Sequence, residues 1–375
     1  MGQVIITVTC DWDGLDYPLG EPYNPEGNPH FRFDRGVQAI QYFNKVFENC
    51  VPITHFICPV YFTRSKALVE YYARNTTHLI KESNCEIGLH IHGWMSLMHA
   101  CDIWPRDPVE DPSVPDWGAQ ENSRYGLCVP YLTDDGHEKI DYGHGVPLGA
   151  YRQEEISQIV KKGRELLVDH RIMAAREDCV SFRCGGWMAN DAVYAALQTV
   201  EPSFQYEASA VDASFFAGRG GILDRWLAQL WGSKGQPEHS YLANRLFLSA
   251  YPDGINIWGR SNDVAEAQPR RMQKLLEIPD TAILADYVKA GYMVEQIDGA
   301  VALAALHASD IYVSLGFHLE SGGDPRFGKV FGHIEEVIAA LEHVNQQYAR
   351  HSKVQYLSIA EAGRRLLQNS ISKSA

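Results

Sequence analysis

The chain has 375 residues, is 45% hydrophobic and 21% charged, and carries a formal net charge of −14 at pH 7. That acidic balance argues against nucleic acid or an anionic membrane as the main partner, since both would repel it. No run of about 18 apolar residues occurs, so no membrane-spanning helix is expected.

The opening stretch MGQVIITVTCDWDG has no basic segment, long apolar core or small-residue cleavage pattern, and a cytoplasmic location is expected. VIITVTCD (4–11) is short and β-branched and reads as a first strand. GVQAIQYFNKVFENC repeats apolar residues at Val37, Ile40, Phe43 and Phe47, a helical spacing. ITHFICPVYF reads as a second strand. SKALVEYYARNTTHLIKES follows as a helix with Ser65 at its N-cap, and EIGLHIH as a third strand.

Residues 95–150 break this alternation with Pro, Asp and Gly, and a stretch this long within a compact domain is usually functional. An amphipathic helix through Ile156, Ile159, Val160, Leu166 and Leu167 resumes the pattern. The strand CVSFRCGGW, the helix NDAVYAALQTV and the strand FQYEASA come next. A second irregular insertion, aromatic and Gly-rich, covers about 212–270; its FFAGRGGI cluster has no phosphate-loop spacing and reads as turns. KLLEIPDTA and IYVSLGFH are strand-like, EQIDGAVALAALHASD and GKVFGHIEEVIAALEHVNQQYARH helical, and VQYLS with IAEAGRRLLQN closes the chain. Repeated β-then-α units predict a parallel sheet, closed or nearly closed, with helices outside. The expected organisation is one barrel domain over 1–375 with two insertions. The eight cysteines show no CxxC spacing, and Cys10, Cys58 and Cys184 lie in strand-like runs as reduced core thiols.

In such barrels, reactive groups come from the C-terminal strand ends. Asp11 and Asp13 end the first strand, His90 and His92 the third, Arg183 the fourth and His318 a late one. Each pair two residues apart faces one side of its strand. Two carboxylates and two imidazoles at one rim are hard to leave unpaired, and a divalent metal, zinc above all, reconciles them. For any one of these residues alone, a turn cap or a satisfied core histidine is the competing account. His137 and His144, beside Asp134, Asp135 and Asp141 in the first insertion, read as a solvated lid, with a third histidine for the site as the alternative. No Gly-x-Ser-x-Gly elbow appears, which argues against a serine hydrolase.

TCDWDG, EIGLHIHGW, SFRCGGW, LLEIP and LGFH, in that order, resemble the motif series of the polysaccharide deacetylase family (carbohydrate esterase family four, the NodB homology domain). The resemblance implies a distorted (β/α) barrel of seven or eight strands and metal-dependent removal of acyl groups from N-acylated sugars. It implies Asp11 as catalytic base and Asp13 as metal ligand, with Trp12 between two aspartates that the family usually sets side by side. His90 carries over as a ligand. The family's second histidine falls four residues on, where this chain has Trp94, and His92 takes its place on geometric grounds. Arg183 matches the arginine that braces the base, and His318 the late histidine that serves as general acid. Trp94 and Trp187 are the candidate sugar-stacking surfaces, with packing as the alternative for each.

The implied partner is a carbohydrate or other small molecule, and a homo-oligomer is compatible with the sequence. Two other functions stay open. One is hydrolysis of small cyclic amides or imides on the same fold. The other is a metal-free carbohydrate-binding protein, suggested by the missing motif histidine.

Overall fold

In the computed structural model, the described residues are 2–16, 22–106, 129–146, 148–187, 189–210, 268–272, 274–307, 309–348 and 354–373. Most of the second insertion, with its Gly-rich cluster, therefore lies outside the described residues.

The chain opens with β1 (Val4–Trp12), α1 (Phe31–Val46), β2 (Ile53–Ile57), α2 (Lys66–Lys81), β3 (Cys85–Ile91) and a short α3 (Met95–Ala100). The first insertion contributes an antiparallel hairpin, β4 (Val129–Leu132) and β5 (Glu138–Asp141). Then come α4 (Gln153–Asp169), β6 (Ser181–Cys184), α5 (Asp191–Thr199), β7 (Tyr206–Glu207), β8 (Arg270–Met272) and β9 (Leu275–Glu277). The last part holds α6 (Ala290–His307), β10 (Ile311–His318), α7 (Leu319–Gly322), α8 (Ile334–Tyr348), β11 (Val354–Tyr356) and α9 (Ile359–Lys373).

Seven strands run parallel in the order β10-β1-β2-β3-β6-β7-β9. β8 pairs antiparallel outside β9, and β11 pairs with the start of β1. The sheet curls toward closure through the segment after β9. Asp280 donates its N–H to the Ala210 carbonyl (2.8 Å), while Ala282 and Ala285 donate to Ser314 and Gly316 of β10 (3.0 and 2.7 Å). The expected parallel, nearly closed barrel with helices outside is thus observed, and every strand expected from the sequence contributes to it.

β1 shows how such a strand is dictated. It is buried on both sides, as a parallel strand between helices and lumen must be. Ile6, Val8, Cys10 and Trp12 join the apolar layer under the helices. Alternation sends Thr7, Thr9 and Asp11 to the lumen. α9 covers the opposite end of that lumen: Ile359 and Ala360 donate their N–H groups to Thr54 and Glu86, and Ala362 packs on Ile5 and Tyr312. With that end sealed, the open rim lies at the C-terminal strand ends. Ser65 stands at the N-cap of α2 as expected but makes no side-chain cap bond; Asp134 of the insertion instead accepts the Lys66 N–H at 2.7 Å.

His55 on β2 is completely buried and accepts a hydrogen bond from Trp12 Nε1 at its Nδ1 (3.3 Å). Burial pushes its pKa down to about 3. The unfolded chain takes up this proton near the ordinary value of about 6.5 and the folded chain does not. Stability is therefore present above about pH 6.5 and is lost toward pH 3, by about 1.4 kcal/mol per pH unit for this group. His55→Gln, which keeps an acceptor for Trp12, is expected to flatten that acid limb in urea melts between pH 6.5 and 4. An acid limb of unchanged slope would contradict this account.

Candidate metal centre

Register brings the strand-end groups together. Asp11 pairs with His318 across β1 and β10, and His90 pairs with Arg183 across β3 and β6. One residue beyond β1, Asp13 sits on the same side as Asp11 and is held there by its backbone. Glu320 Oε1 accepts the N–H groups of Asp13, Gly14 and Leu15 at 2.9–3.1 Å, and Trp94 Nε1 donates to the Asp13 carbonyl at 2.7 Å.

Four histidines surround the Asp13 carboxylate. His90 Nε2 and His92 Nε2 stand 3.1 and 3.3 Å from Oδ1. His144 Nε2 and His318 Nε2 stand 3.4 and 3.5 Å from Oδ2. Ligand atoms of Asp13, His90 and His92 all lie within 4.8 Å of one another, close enough for one ion to reach all three.

The tautomers tell more than the distances. His90 Nδ1 lies 3.0 Å from the Arg183 carbonyl oxygen, and His92 Nδ1 lies 2.9 Å from the His144 carbonyl oxygen. A carbonyl only accepts, so both rings carry a proton on Nδ1. When neutral, each presents a bare lone pair at Nε2, directed at a carboxylate oxygen. Such a set is stable only with positive charge in its midst: protons on the rings, or a cation. Backbone-fixed Nδ1–H tautomers are also the usual outer support of metal-binding imidazoles. The donor set of one carboxylate and two imidazoles could hold a metal ion.

His144 arrives from the first insertion, and the solvated-lid expectation fails for it. Its ring stacks on His92, with centroids 3.8 Å apart and planes 15° from parallel. Asp141, expected at the surface, is completely buried and accepts the Ser96 N–H and hydroxyl at 3.0 and 2.5 Å. Gly143 makes the approach feasible. Its φ is +96°, and a Cβ there would stand 2.4 Å from the Gly93 carbonyl oxygen. His137 and Asp135 do remain exposed, as a solvated loop requires.

Asp11 is gripped from β6. Arg183, completely buried, donates from Nη1 to Asp11 Oδ1 (2.9 Å) and Thr9 Oγ1 (3.0 Å), and from Nε to the Ala208 carbonyl (2.8 Å). Asp280 stands behind it, Oδ2 lying 3.6 Å from the same Nη1; burial pushes its carboxyl up to about 6 despite Arg183. His318 Nδ1 contacts Asp286 Oδ2 at 3.1 Å. Burial opposes a charge on His318, but Asp286 and Asp13 outweigh it and hold the pKa well above the usual histidine range. Burial likewise works against the Asp13 charge, yet His318, His92, His144 and His90 hold its pKa well below the ordinary value. His144 is pushed down to about 4, by burial first and by His92 second.

The six strand-end candidates, Asp11, Asp13, His90, His92, Arg183 and His318, therefore gather at one place. The two tryptophans lie differently. Trp94 is completely buried, with its indole N–H committed to the Asp13 carbonyl and Arg64 over its ring, so it supports the Asp13 loop and offers no face to a sugar. Trp187 is 4% exposed, stands beside Asp280 and packs 5.8 Å from Tyr287. Sequence reasoning missed Asp280, Asp286 and Glu320. Glu320 follows the end of β10 by two residues, whereas Asp280 and Asp286 lie in the irregular segment after β9 and carry no periodic signal.

No family model and no curated relative matches the sequence. Several solved structures share part of its chain path. A protein described as a polysaccharide deacetylase from Mycobacterium smegmatis is 11% identical, with a TM-score of 0.49 over 99% of this chain and 92% of its own. The 4-alpha-glucanotransferase from Thermococcus litoralis is also 11% identical, with 0.44 over 96% of this chain and 40% of its own. A GH57-type branching enzyme from Pyrococcus horikoshii is 8% identical, with 0.42 over 96% and 70%. With all three scores below 0.5, what this protein does has to be read from its own side chains. Among the described residues no helix is long and apolar enough to cross a membrane.

Proposed function

We propose that this protein is a metal-dependent hydrolase that removes an acyl group from an N-acylated sugar or a related amide. The observation that carries the reading is the pair of backbone-fixed imidazoles aiming Nε2 at one oxygen of Asp13. Asp13, His90 and His92 would hold the ion, for which zinc suits one carboxylate and two imidazoles. When bound, it supplies Lewis acidity to a substrate carbonyl and makes water a stronger acid.

The remaining work falls to this chain's own groups. Arg183 fixes Asp11 through Oδ1, which orients that carboxylate to accept a proton from attacking water. His318, kept cationic by Asp286, has its Nε2–H side turned toward Asp13 and can protonate the departing amine. The substrate class rests on the order of the motifs, which resembles that of sugar deacetylases.

The test begins with protein purified without chelators. About one equivalent of a divalent metal is expected, with acid release from some member of a panel of N-acetylated sugars, nucleotide sugars and cyclic imides. Asp11→Asn should keep the metal and lose about 10²–10⁴-fold in turnover. Wild-type protein with less than about a tenth of an equivalent of metal would favour a binding protein instead. Turnover unchanged by Asp11→Asn would remove that residue from the reaction.

A further inference from the structure

Arg183 meets two carboxylates, and the second has received no role. Asp280 is completely buried, and among the described residues neither of its oxygens has a direct hydrogen-bond partner. The same holds for Arg183 Nη2, Thr7 Oγ1 and Ser314 Oγ. Their residues adjoin one another in the lumen. Thr7 and Ser314 pair across β1 and β10, the Ser314 hydroxyl stands beside the Asp280 carboxyl, and Asp280 Oδ2 lies 3.6 Å from Arg183 Nη1.

Buried polar atoms without partners are uncommon, and a cluster of them marks a pocket that suits ordered water. A carboxylate there also carries a cost. Arg183 reaches it less closely than it reaches Asp11, and its other polar neighbours among the described residues, Ser314 and Trp187, lower its pKa without closing a direct hydrogen bond to it. An amide or hydroxyl of similar size would cost less. A group kept against stability beside a reacting carboxylate is the pattern of a functional residue.

We propose that Asp280 is a positioning residue for the Arg183–Asp11 pair. It holds the guanidinium from a second carboxylate and, with Thr7 and Ser314, binds lumen water that completes the grip on Nη2. The proposal rests on Asp11 acting as base in the hydrolase reading. Its stability and structural arms need no substrate, so failure of that reading would be seen separately, as wild-type protein inactive on the whole panel.

Asp280→Asn is the test, with Asp280→Ser as a second variant should the amide not fold. Either variant is expected to melt about 2 °C or more above wild type. In its crystal structure Arg183 should withdraw from Asp11 beyond the present 2.9 Å. On an active substrate kcat should fall about 10–100-fold with KM and metal content unchanged. Two results would overturn the assignment. One is both variants melting below wild type, which makes Asp280 a structural partner. The other is Arg183 remaining on Asp11 with kcat unaltered.

Discussion

Asp13→Asn is expected to strip the centre of metal and abolish turnover while leaving the barrel intact. The amide has the size of the carboxylate, and two contacts that place residue 13 are made by its backbone, to Glu320 and to Trp94. What the substitution removes is the negative charge on which four histidines converge. Losing the only carboxylate of the Asp13, His90 and His92 set should weaken metal affinity by about 100-fold or more, since altering even an outer partner of a ligand costs about 10–100-fold. Chelator competition and metal analysis measure the first effect, acid release the second, and a thermal melt the integrity of the fold. A variant that keeps wild-type affinity would exclude Asp13 as a ligand and, with it, the hydrolytic proposal.

The barrel was legible because its signals are local. Short β-branched runs, helical spacing such as Val37, Ile40 and Phe43, and their alternation identify a parallel sheet without long-range information. The period of two did the rest at the rim, placing Asp11 with Asp13 and His90 with His92 on one face before any register was known. Trp94 shows the limit of motif matching. β3 ends at Ile91 and α3 begins at Met95, so the position four beyond His90 belongs to a turn whose indole points inward.

The groups that the sequence left open, such as His144, or gave no sign of, such as Asp280 and Asp286, reach the site from loops. His144 meets Asp13 across 131 positions, and its placement depends on Gly143, Gly93 and the burial of Asp141, none of which has a periodic signature. Asp280 and Asp286 lie in the segment that closes the sheet without being a regular strand, so neither the period nor the strand-end rule locates them. The carboxylates that tune Arg183 and His318 are visible only once tertiary contacts exist.

Asp286→Asn should cost about 10²–10⁴-fold in turnover at neutral pH, without loss of metal. The amide oxygen can still accept the His318 Nδ1–H, so the ring keeps its orientation and tautomer. The charge is what disappears. Burial disfavours a cationic His318, and Asp286 is the strongest of the groups that reverse this, ahead of Asp13. Asp286 is itself committed to that task. Its carboxyl is held well below the usual range against burial, and it also accepts the His318 N–H and the Ser321 hydroxyl. A general acid works only when protonated, so activity is lost as pH rises through the His318 pKa. Removing Asp286 lowers that pKa and must move the alkaline limb of the kcat profile to lower pH, with partial recovery of rate below neutrality. Stability follows the same sign. A raised histidine pKa contributes stability that is fully present below about pH 6.5 and is lost as pH rises through the folded value. The variant should lack that alkaline loss in urea melts. An alkaline limb that stays in place in Asp286→Asn would assign the proton at the leaving group to a residue other than His318.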